Sequence, residues 1–177
     1  MHRIMIVDDD ENILSALKRV LGKAGDWEIV TCNDPLEALE KAQETLFHLF
    51  LSDYRMPGMN GVEFLLKIKK LYPESMRLIL SGQADFKALI TAINDAEIYR
   101  FISKPADSID LISSITAALQ FFDLITENKQ LADQVRNQQR ELNRRENALK
   151  KLAKEHPVIA QVNWDADGYI VLDENML

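Results

Sequence analysis

Five short apolar runs, separated by segments with helical spacing, constrain the fold of this chain more than any other feature. The runs lie at residues 3–8, 27–32, 48–53, 77–82 and 99–104. Most of them are nearly continuous rather than alternating in apolar residues, which is typical of strands that are covered on both faces. The repeated order of strand and helix predicts an α/β fold, a doubly wound five-stranded parallel sheet.

The segments between these runs carry helix start signals. In "ENILSALKRVLGKAG" the apolar residues recur at helical spacing and form one stripe. Asp34 and Pro35 are suited to the N-cap and first position of a second helix. Two further helices are predicted at "GVEFLLKIKKLYP" and "DFKALITAINDAE", and a fifth begins near Asp107 or Ser108.

Composition narrows the class of protein. The net charge of −7 argues against a protein that binds nucleic acid, since such proteins usually present a basic face. The single cysteine excludes a disulfide framework within one chain. No uninterrupted apolar run approaches the roughly 20 residues that span a bilayer. We therefore expect a cytoplasmic protein with no membrane contact and no direct DNA binding.

Polar residues follow four of the five predicted strands. An acidic triplet at residues 8–10 ends the first, Asp53 ends the third, Ser81 the fourth and Lys104 the fifth. The carboxyl ends of parallel strands share one edge of a sheet, so these residues should meet there. Clustered carboxylates need a compensating cation, and oxygen ligands favour Mg²⁺. The pattern predicts a site that stabilises a phosphoryl group, with Asp53 as acceptor.

The motifs "IVDDDEN", "LSDYRMPGMNG", "LILSGQAD" and "FISKP" closely resemble the receiver domain of two-component response regulators. The resemblance covers residues 3 to about 120. It implies a flavodoxin-like, CheY-like fold with strand order 2-1-3-4-5. It also implies that Asp53 is phosphorylated by a sensor histidine kinase or a phosphotransfer protein.

The resemblance also implies a metal site. Asp9 and Asp53 would bind Mg²⁺ directly, with Mn²⁺ as an alternative ion. The backbone carbonyl of Arg55 would be a third ligand, and Asp8 would act through a water molecule. Asp10 is additional, and we expect it near the metal but not bound to it.

Further residues match the family's phosphoryl-binding and switch positions. Lys104 would pair with phosphoryl oxygens, Ser81 would hydrogen-bond to one of them, and Phe101 would turn inward when Ser81 moves. Pro105 matches a proline whose preceding peptide is usually cis. Three residues would shape the loop that follows Asp53: Pro57, Gly58 and Gly61.

After residue 119 the pattern becomes that of a coiled coil. Residues at alternating steps of four and three form a seam with some polar positions. Its main members are Leu124, Asn128, Leu131, Val135, Leu142, Leu149 and Leu152. We expect a receiver domain at 1–120, a coiled-coil helix at 121–156 that continues the fifth helix, and a tail at 157–177. The seam predicts a homodimer, and docking onto another protein is the main alternative.

The tail has two strand-like halves around residues 165–168, which favours a short C-terminal β-hairpin. The residues from Asn163 to Glu174 also match parts of an EF-hand loop, which would bind Ca²⁺. However, the first position is Asn, and no pair of helices can frame the loop. The hairpin is therefore the favoured interpretation and calcium binding the lesser one.

Two other functions compete with a signalling receiver. A haloacid-dehalogenase-like phosphatase would use Asp8 as its nucleophile, but "DDDEN" lacks the expected glycine-threonine continuation and Asp53 would have no role. A scaffold with an inert receiver would leave the acidic site without a purpose. We expect a signalling protein and not an enzyme, with output through protein contacts to an unidentified downstream protein.

Overall fold

The computed structural model describes residues 1–82 and 96–155, together with the backbone of 163–164 and 170–171. Five parallel strands form one sheet in the order β2-β1-β3-β4-β5. Each strand lies within one residue of its predicted bounds: His2–Val7 (β1), Trp27–Cys32 (β2), Leu49–Asp53 (β3), Met76–Ser81 (β4) and Arg100–Ser103 (β5). The predicted fold class and strand order are confirmed.

The helices of the described residues are Glu11–Leu21 (α1), Pro35–Glu44 (α2), Gly61–Leu71 (α3) and a long helix, Ser108–Glu155. Asp34 caps α2 as predicted, since its side chain accepts a hydrogen bond from the Leu36 backbone N–H. The long helix has 48 residues and contains both the predicted fifth helix and the predicted coil. Most of the helix predicted at residues 85–97 lies outside the described residues.

The sheet is buried on both faces. Along β1, Met5 and Val7 face one apolar cluster with α2 and α3, whereas Ile4 and Ile6 face another with α1 and the long helix. All five residues of β3 are buried. This two-sided burial explains the continuous apolar runs of the sequence, and it holds the carboxyl end of β3 at a fixed place on the sheet edge.

Contacts divide the chain into two compact units, Met1–Glu127 and Asn128–Leu177. The second unit contains the later part of the long helix and two short strands, Asn163–Trp164 (β6) and Ile170–Val171 (β7), which pair antiparallel. The turn predicted at residues 165–168 and the side chains of the calcium-loop hypothesis lie outside the described residues. The domain limits at 120 and 156 stay predictions.

By length and composition alone, the long helix contains a stretch apolar enough to cross a membrane. Several of its residues are instead buried in the core of the first unit, among them Leu111, Ile115 and Ala118. A core helix of a globular domain passes the same compositional test. The stretch is therefore weak support for a membrane span.

Arg77 has a buried guanidinium that connects the segment before β4 to the segment before β5 by hydrogen bonds. Its side chain is only 4% exposed. The guanidinium donates hydrogen bonds to the backbone carbonyls of Tyr72 and Ser75 on one side and of Ala96 on the other. Glu97 supplies a carboxylate 3.4 Å from one guanidinium nitrogen. The two segments are thus joined through one side chain.

Substitution of Arg77 with Met is expected to lower the free energy of unfolding by about 2 kcal/mol, because the buried carbonyls of Ser75 and Ala96 lose their donor. Urea denaturation measures this change. Arg100→Met is the matched control, since Arg100 is exposed and its ion pair with Asp110 is 3.5 Å long. The control should lose no more than about 0.5 kcal/mol. Equal losses in both variants would contradict the role given to Arg77.

His48 belongs to a small aromatic cluster at the amino-terminal edge of the sheet. Its Nδ1 accepts a hydrogen bond of 2.8 Å from the Arg3 backbone N–H, so this nitrogen carries no proton. The ring contacts Phe122 of the long helix edge-on, with 5.1 Å between ring centroids. The His2 ring, whose Nε2 lies 2.8 Å from an Asp123 oxygen, contacts both the His48 ring and the Phe122 ring edge-on. Burial lowers the pKa of His48, and the nearby His2 lowers it further.

Because the pKa of His48 is lower in the folded protein, the unfolded chain binds its proton first as the pH falls. Stability should therefore begin to fall below about pH 6.5, the ordinary histidine value, and level off below the folded pKa. Substitution with Gln keeps an acceptor for the Arg3 N–H but removes the titration. Thermal melts between pH 5 and 7.5 should show that the melting temperature of His48→Gln depends less on pH than that of the wild type. Parallel plots of melting temperature against pH would contradict the effect.

Candidate functional site

Asp53 is the last residue of β3, and its side chain is 8% exposed. One carboxylate oxygen, Oδ1, lies 2.6 Å from the Lys104 ammonium nitrogen. The other, Oδ2, accepts a hydrogen bond of 2.8 Å from the Arg55 backbone N–H. The carboxylate is therefore held at both oxygens, between a buried strand and the loop that follows it.

Asp8 follows β1, the neighbour of β3 in the sheet, and is 1% exposed. Its Oδ2 lies 2.6 Å from the same Lys104 nitrogen that contacts Asp53, and its Oδ1 accepts a hydrogen bond from the Asp10 backbone N–H. One ammonium group thus bridges two buried carboxylates. The strand order places the three side chains together, as the sequence predicted.

The charges of this cluster do not balance. Burial raises the pKa of Asp53; the hydrogen bond and charge of Lys104 oppose this, and the Asp8 carboxylate adds to it. Burial alone would lower the pKa of Lys104, but its contacts with Asp53 and Asp8 outweigh burial and raise it. Lys104 therefore stays charged beside two carboxylates, and the pair of acids retains an excess negative charge.

Ser81 lies on β4, the strand next to that of Asp53, and Phe101 lies on β5, one strand further. Ser81 ends β4 and is 1% exposed, and its hydroxyl donates to the Gly82 carbonyl at 3.3 Å. Its own carbonyl accepts a hydrogen bond of 2.8 Å from the Lys104 backbone N–H, so the two predicted phosphoryl-binding residues are adjacent. Phe101, on β5, is partly buried against the core. The Lys104–Pro105 peptide is cis, as the family resemblance implied.

The loop after Asp53 depends on two glycines. Gly58 has φ +76° in open space, a conformation that side chains other than Gly rarely adopt. Gly61 starts α3 and packs directly on the strand end, because a Cβ there would lie 2.0 Å from the Asp53 carbonyl oxygen. Its backbone N–H also donates to the Tyr54 carbonyl at 2.9 Å. Close packing at Gly61 fixes the backbone that carries Asp53.

The donor set fits a hard divalent cation. Among residues 1–82 and 96–155, no cluster of three or more His, Cys, Asp or Glu side chains is arranged as a metal site. Mg²⁺ usually needs only one or two carboxylates and keeps several waters, and Asp8 and Asp53 supply two converging carboxylates with excess charge. Asp9, which follows Asp8, is exposed. The ligand set of Asp9, Asp53 and the Arg55 carbonyl stays a prediction.

Sequence reasoning missed the roles of three residues that hold the site, although Asp10 itself was expected near the metal. The Ser52 hydroxyl donates to the Asp53 carbonyl at 2.9 Å. Asn60 caps α3 by accepting from the Glu63 backbone N–H, and Asp10 caps α1 by accepting from the Asn12 backbone N–H. The two caps had a sequence signal, an Asn or Asp just before a helical stripe, whereas Ser52 had none.

Comparison with known proteins places the chain in a family. The family model described as the response regulator receiver domain matches residues 4–116. A hydrogenase transcriptional regulatory protein, HoxA of Bradyrhizobium diazoefficiens, is 32% identical over 126 residues, which cover 71% of this chain and 26% of that protein. The DNA-binding transcriptional regulator NtrC of Escherichia coli K12 is 29% identical over 119 residues, 67% of this chain and 25% of that protein. The chain thus spans about a quarter of these relatives.

Solved structures support the same family assignment. A crystal structure described as adenylate cyclase from Rhodopirellula baltica is 35% identical with a TM-score of 0.70, covering 75% of this chain and 97% of that one. A receiver domain protein (CheY-like) from Methanospirillum hungatei is 32% identical with a TM-score of 0.65, covering 70% and 97%. With four sequence motifs, the strand order and the family model in agreement, the chain belongs to the response regulator receiver domain family of two-component signalling.

Proposed function

We propose that this protein accepts a phosphoryl group on Asp53 and signals through the contacts that its long helix makes with other proteins. The observation that carries the proposal is the position of the Asp53 carboxylate, which is buried at the strand end yet lies beside the Lys104 ammonium at 2.6 Å. The family match supports phosphorylation-dependent signalling. Asp8, the nucleophile of the phosphatase alternative, is 1% exposed and hydrogen-bonded at both oxygens.

The transfer itself is a displacement at phosphorus. A carboxylate oxygen of Asp53 forms the new O–P bond, and the P–N bond of a phosphohistidine on the kinase or phosphotransfer protein breaks. The electron pair of that bond stays on the histidine nitrogen. Water later attacks the acyl phosphate, the O–P bond to Asp53 breaks, and inorganic phosphate leaves the regenerated carboxylate.

Each nearby side chain has a separate task in this proposal. Lys104 exchanges its contact with Asp53 for phosphoryl oxygens, and the Ser81 hydroxyl turns toward one of them. A bound Mg²⁺ supplies positive charge to the phosphoryl oxygens. Asp9, Asp53 and the Arg55 carbonyl would hold that ion directly, and Asp8 would hold it through a water molecule. The Arg55 backbone N–H keeps Asp53 oriented through the contact already present in the structure.

Phosphorylation then shifts an equilibrium between two arrangements of the Ser81 and Phe101 region. Strand β5, which carries Phe101, is followed directly by the long helix, so a change there reaches the seam through a continuous helix. We propose that the seam pairs two copies and that phosphorylation alters the geometry of the pair or its affinity for a downstream protein. The two relatives named as transcriptional regulators match 126 and 119 residues of this chain, about a quarter of their own length.

Labelling by a small phosphodonor tests the proposal. Incubation with acetyl phosphate and Mg²⁺ should raise the intact mass by one phosphoryl group. Excess chelator should abolish the gain, because the two acidic side chains then lack the added cation. A gain that is equal with and without Mg²⁺ would contradict the proposed site.

A further inference from the structure

The later part of the long helix presents an apolar stripe to solvent. Five residues at heptad a and d positions are between 47% and 66% exposed: Leu131, Val135, Leu142, Leu149 and Leu152. The rest of residues 128–155 is charged or polar apart from three alanines. An isolated helix gains little from such a stripe, because helical stability in proteins comes mainly from packing of the apolar face. The stripe therefore needs a partner.

The spacing of the stripe fits a second helix of the same kind. Its members follow one another at steps of 4, 7, 7 and 3 residues, because polar Gln138 and Arg145 occupy the two intervening d positions. The a positions remain apolar at 135, 142 and 149, and this seven-residue period is the pattern of a left-handed coiled coil. A second copy of this chain supplies a stripe of identical length and spacing. Asn128, at an a position, would fix the alignment of the two helices, since two such amides pair with each other only in a parallel, in-register dimer.

Three charged residues near the end of the stripe would disfavour a parallel dimer unless they paired with one another. Arg145 occupies a d position, where a polar side chain is unfavourable unless it is paired. Glu141 and Glu146 occupy the flanking g and e positions, and these two acids would face each other across a parallel dimer. In the structure Arg145 already contacts Glu141 on its own helix, and Glu146 contacts Lys150 at 2.6 Å.

In a parallel coiled coil a d side chain packs into a space bordered by the d and e residues of the other helix. Arg145 of one copy would therefore lie beside Glu146 of the other, while it keeps Glu141 on its own helix. The guanidinium has enough donors to serve both carboxylates. In such a dimer Arg145 would replace a repulsion between two acids with an ion pair at each side.

We propose that two copies form a parallel, in-register coiled coil in which Arg145 of each copy binds Glu146 of the other and fixes the alignment. This inference rests on the proposed dimerisation and goes beyond it, because it names the orientation, the register and the contact that sets them. An antiparallel pair and a different partner protein are the competing arrangements.

Disulfide trapping of the full-length chain tests the orientation. Cys32 is the single native cysteine and is buried, so an added cysteine reports on its own position. In Leu131→Cys the two introduced thiols face each other at a d layer, and mild oxidation should give a covalent dimer. Asp133→Cys, at the outward f position, is the matched control and should stay largely uncrosslinked. A dimer that crosslinks equally at both positions, or at neither, would overturn the parallel register.

A charge swap tests the ion pair. Arg145→Glu should weaken dimerisation about tenfold or more, and Glu146→Arg should also weaken it. The double variant should return to within about threefold of the wild type, because the pair is restored with reversed sign. Arg140→Glu, at an f position, should change the dissociation constant by no more than about twofold. Additive losses in the double variant would overturn the Arg145–Glu146 contact.

Light scattering of the wild-type chain tests dimerisation separately from the parallel arrangement. A monomer at all concentrations would remove the proposed dimerisation and this inference together. A dimer that fails the trapping test would leave dimerisation in place and remove the parallel arrangement alone. A dimer that passes trapping and recovers in the charge swap supports both.

Discussion

Substitution of Asp53 with Asn is expected to abolish labelling by acetyl phosphate, a loss of at least about 100-fold in rate. The amide oxygen that replaces the carboxylate is a poor nucleophile, so the proposed acceptor is lost. The side chain keeps its shape and an acceptor for the Arg55 N–H. The free energy of unfolding should therefore change by only about 1 kcal/mol. Intact-mass spectrometry and urea denaturation measure the two effects.

Asp34→Asn is the matched control for the same chemical change. Asp34 is the N-cap residue of α2 and is not one of the site residues. Asn is an equally good N-cap residue, so the helix should keep its cap. This variant should be labelled at the wild-type rate. Retained labelling in Asp53→Asn would instead favour another acceptor, such as Asp8 in the phosphatase alternative.

Substitution of Gly61 with Ala should be the most disruptive single-methyl change near the site. The new Cβ would lie 2.0 Å from the Asp53 carbonyl oxygen and 3.0 Å from the Ser52 hydroxyl. Backbone must move to relieve the first of these contacts. We expect a loss of about 3 kcal/mol in unfolding free energy and slow labelling, because the displaced strand end moves Asp53 away from Lys104.

Gly58→Asn is the control in the same loop. Gly58 needs a positive φ, which Asn tolerates better than other residues, and a Cβ there meets no atom within 4 Å. This variant should lose no more than about 1 kcal/mol and should be labelled normally. If Gly61→Ala behaved like Gly58→Asn in both measurements, the packing of Gly61 on Asp53 would not support the site.

The sheet and the edge that carries the site were predictable because their physical signals are local. Continuous apolar runs report burial on both faces, and the polar residues after them mark the shared edge. Asp8, Asp53 and Lys104 could be placed at one edge because the carboxyl ends of parallel strands lie on the same side of the sheet. The family resemblance added the strand order and the roles of Ser81 and Phe101, which no periodicity provides.

Other features depend on distances that a sequence does not contain. Nothing in the order of residues shows that one Lys104 nitrogen contacts two carboxylates, or that Gly61 packs on the carbonyl of Asp53. Arg77 reads as an ordinary strand residue, and its burial follows from carbonyls contributed by separate segments. The apolar stripe of the coil could be predicted from residue spacing. The molecule that covers the stripe could not, because its contacts are not encoded in the spacing of one chain.

Chemical trapping of the labelled residue tests the central claim most directly. Borohydride reduces an aspartyl phosphate to homoserine, and peptide mass spectrometry then locates the converted position. After labelling of the wild-type chain with acetyl phosphate and Mg²⁺, the account predicts homoserine at position 53 and no conversion at positions 8, 9 or 10. Conversion within the acidic triplet, with position 53 unchanged, would contradict it.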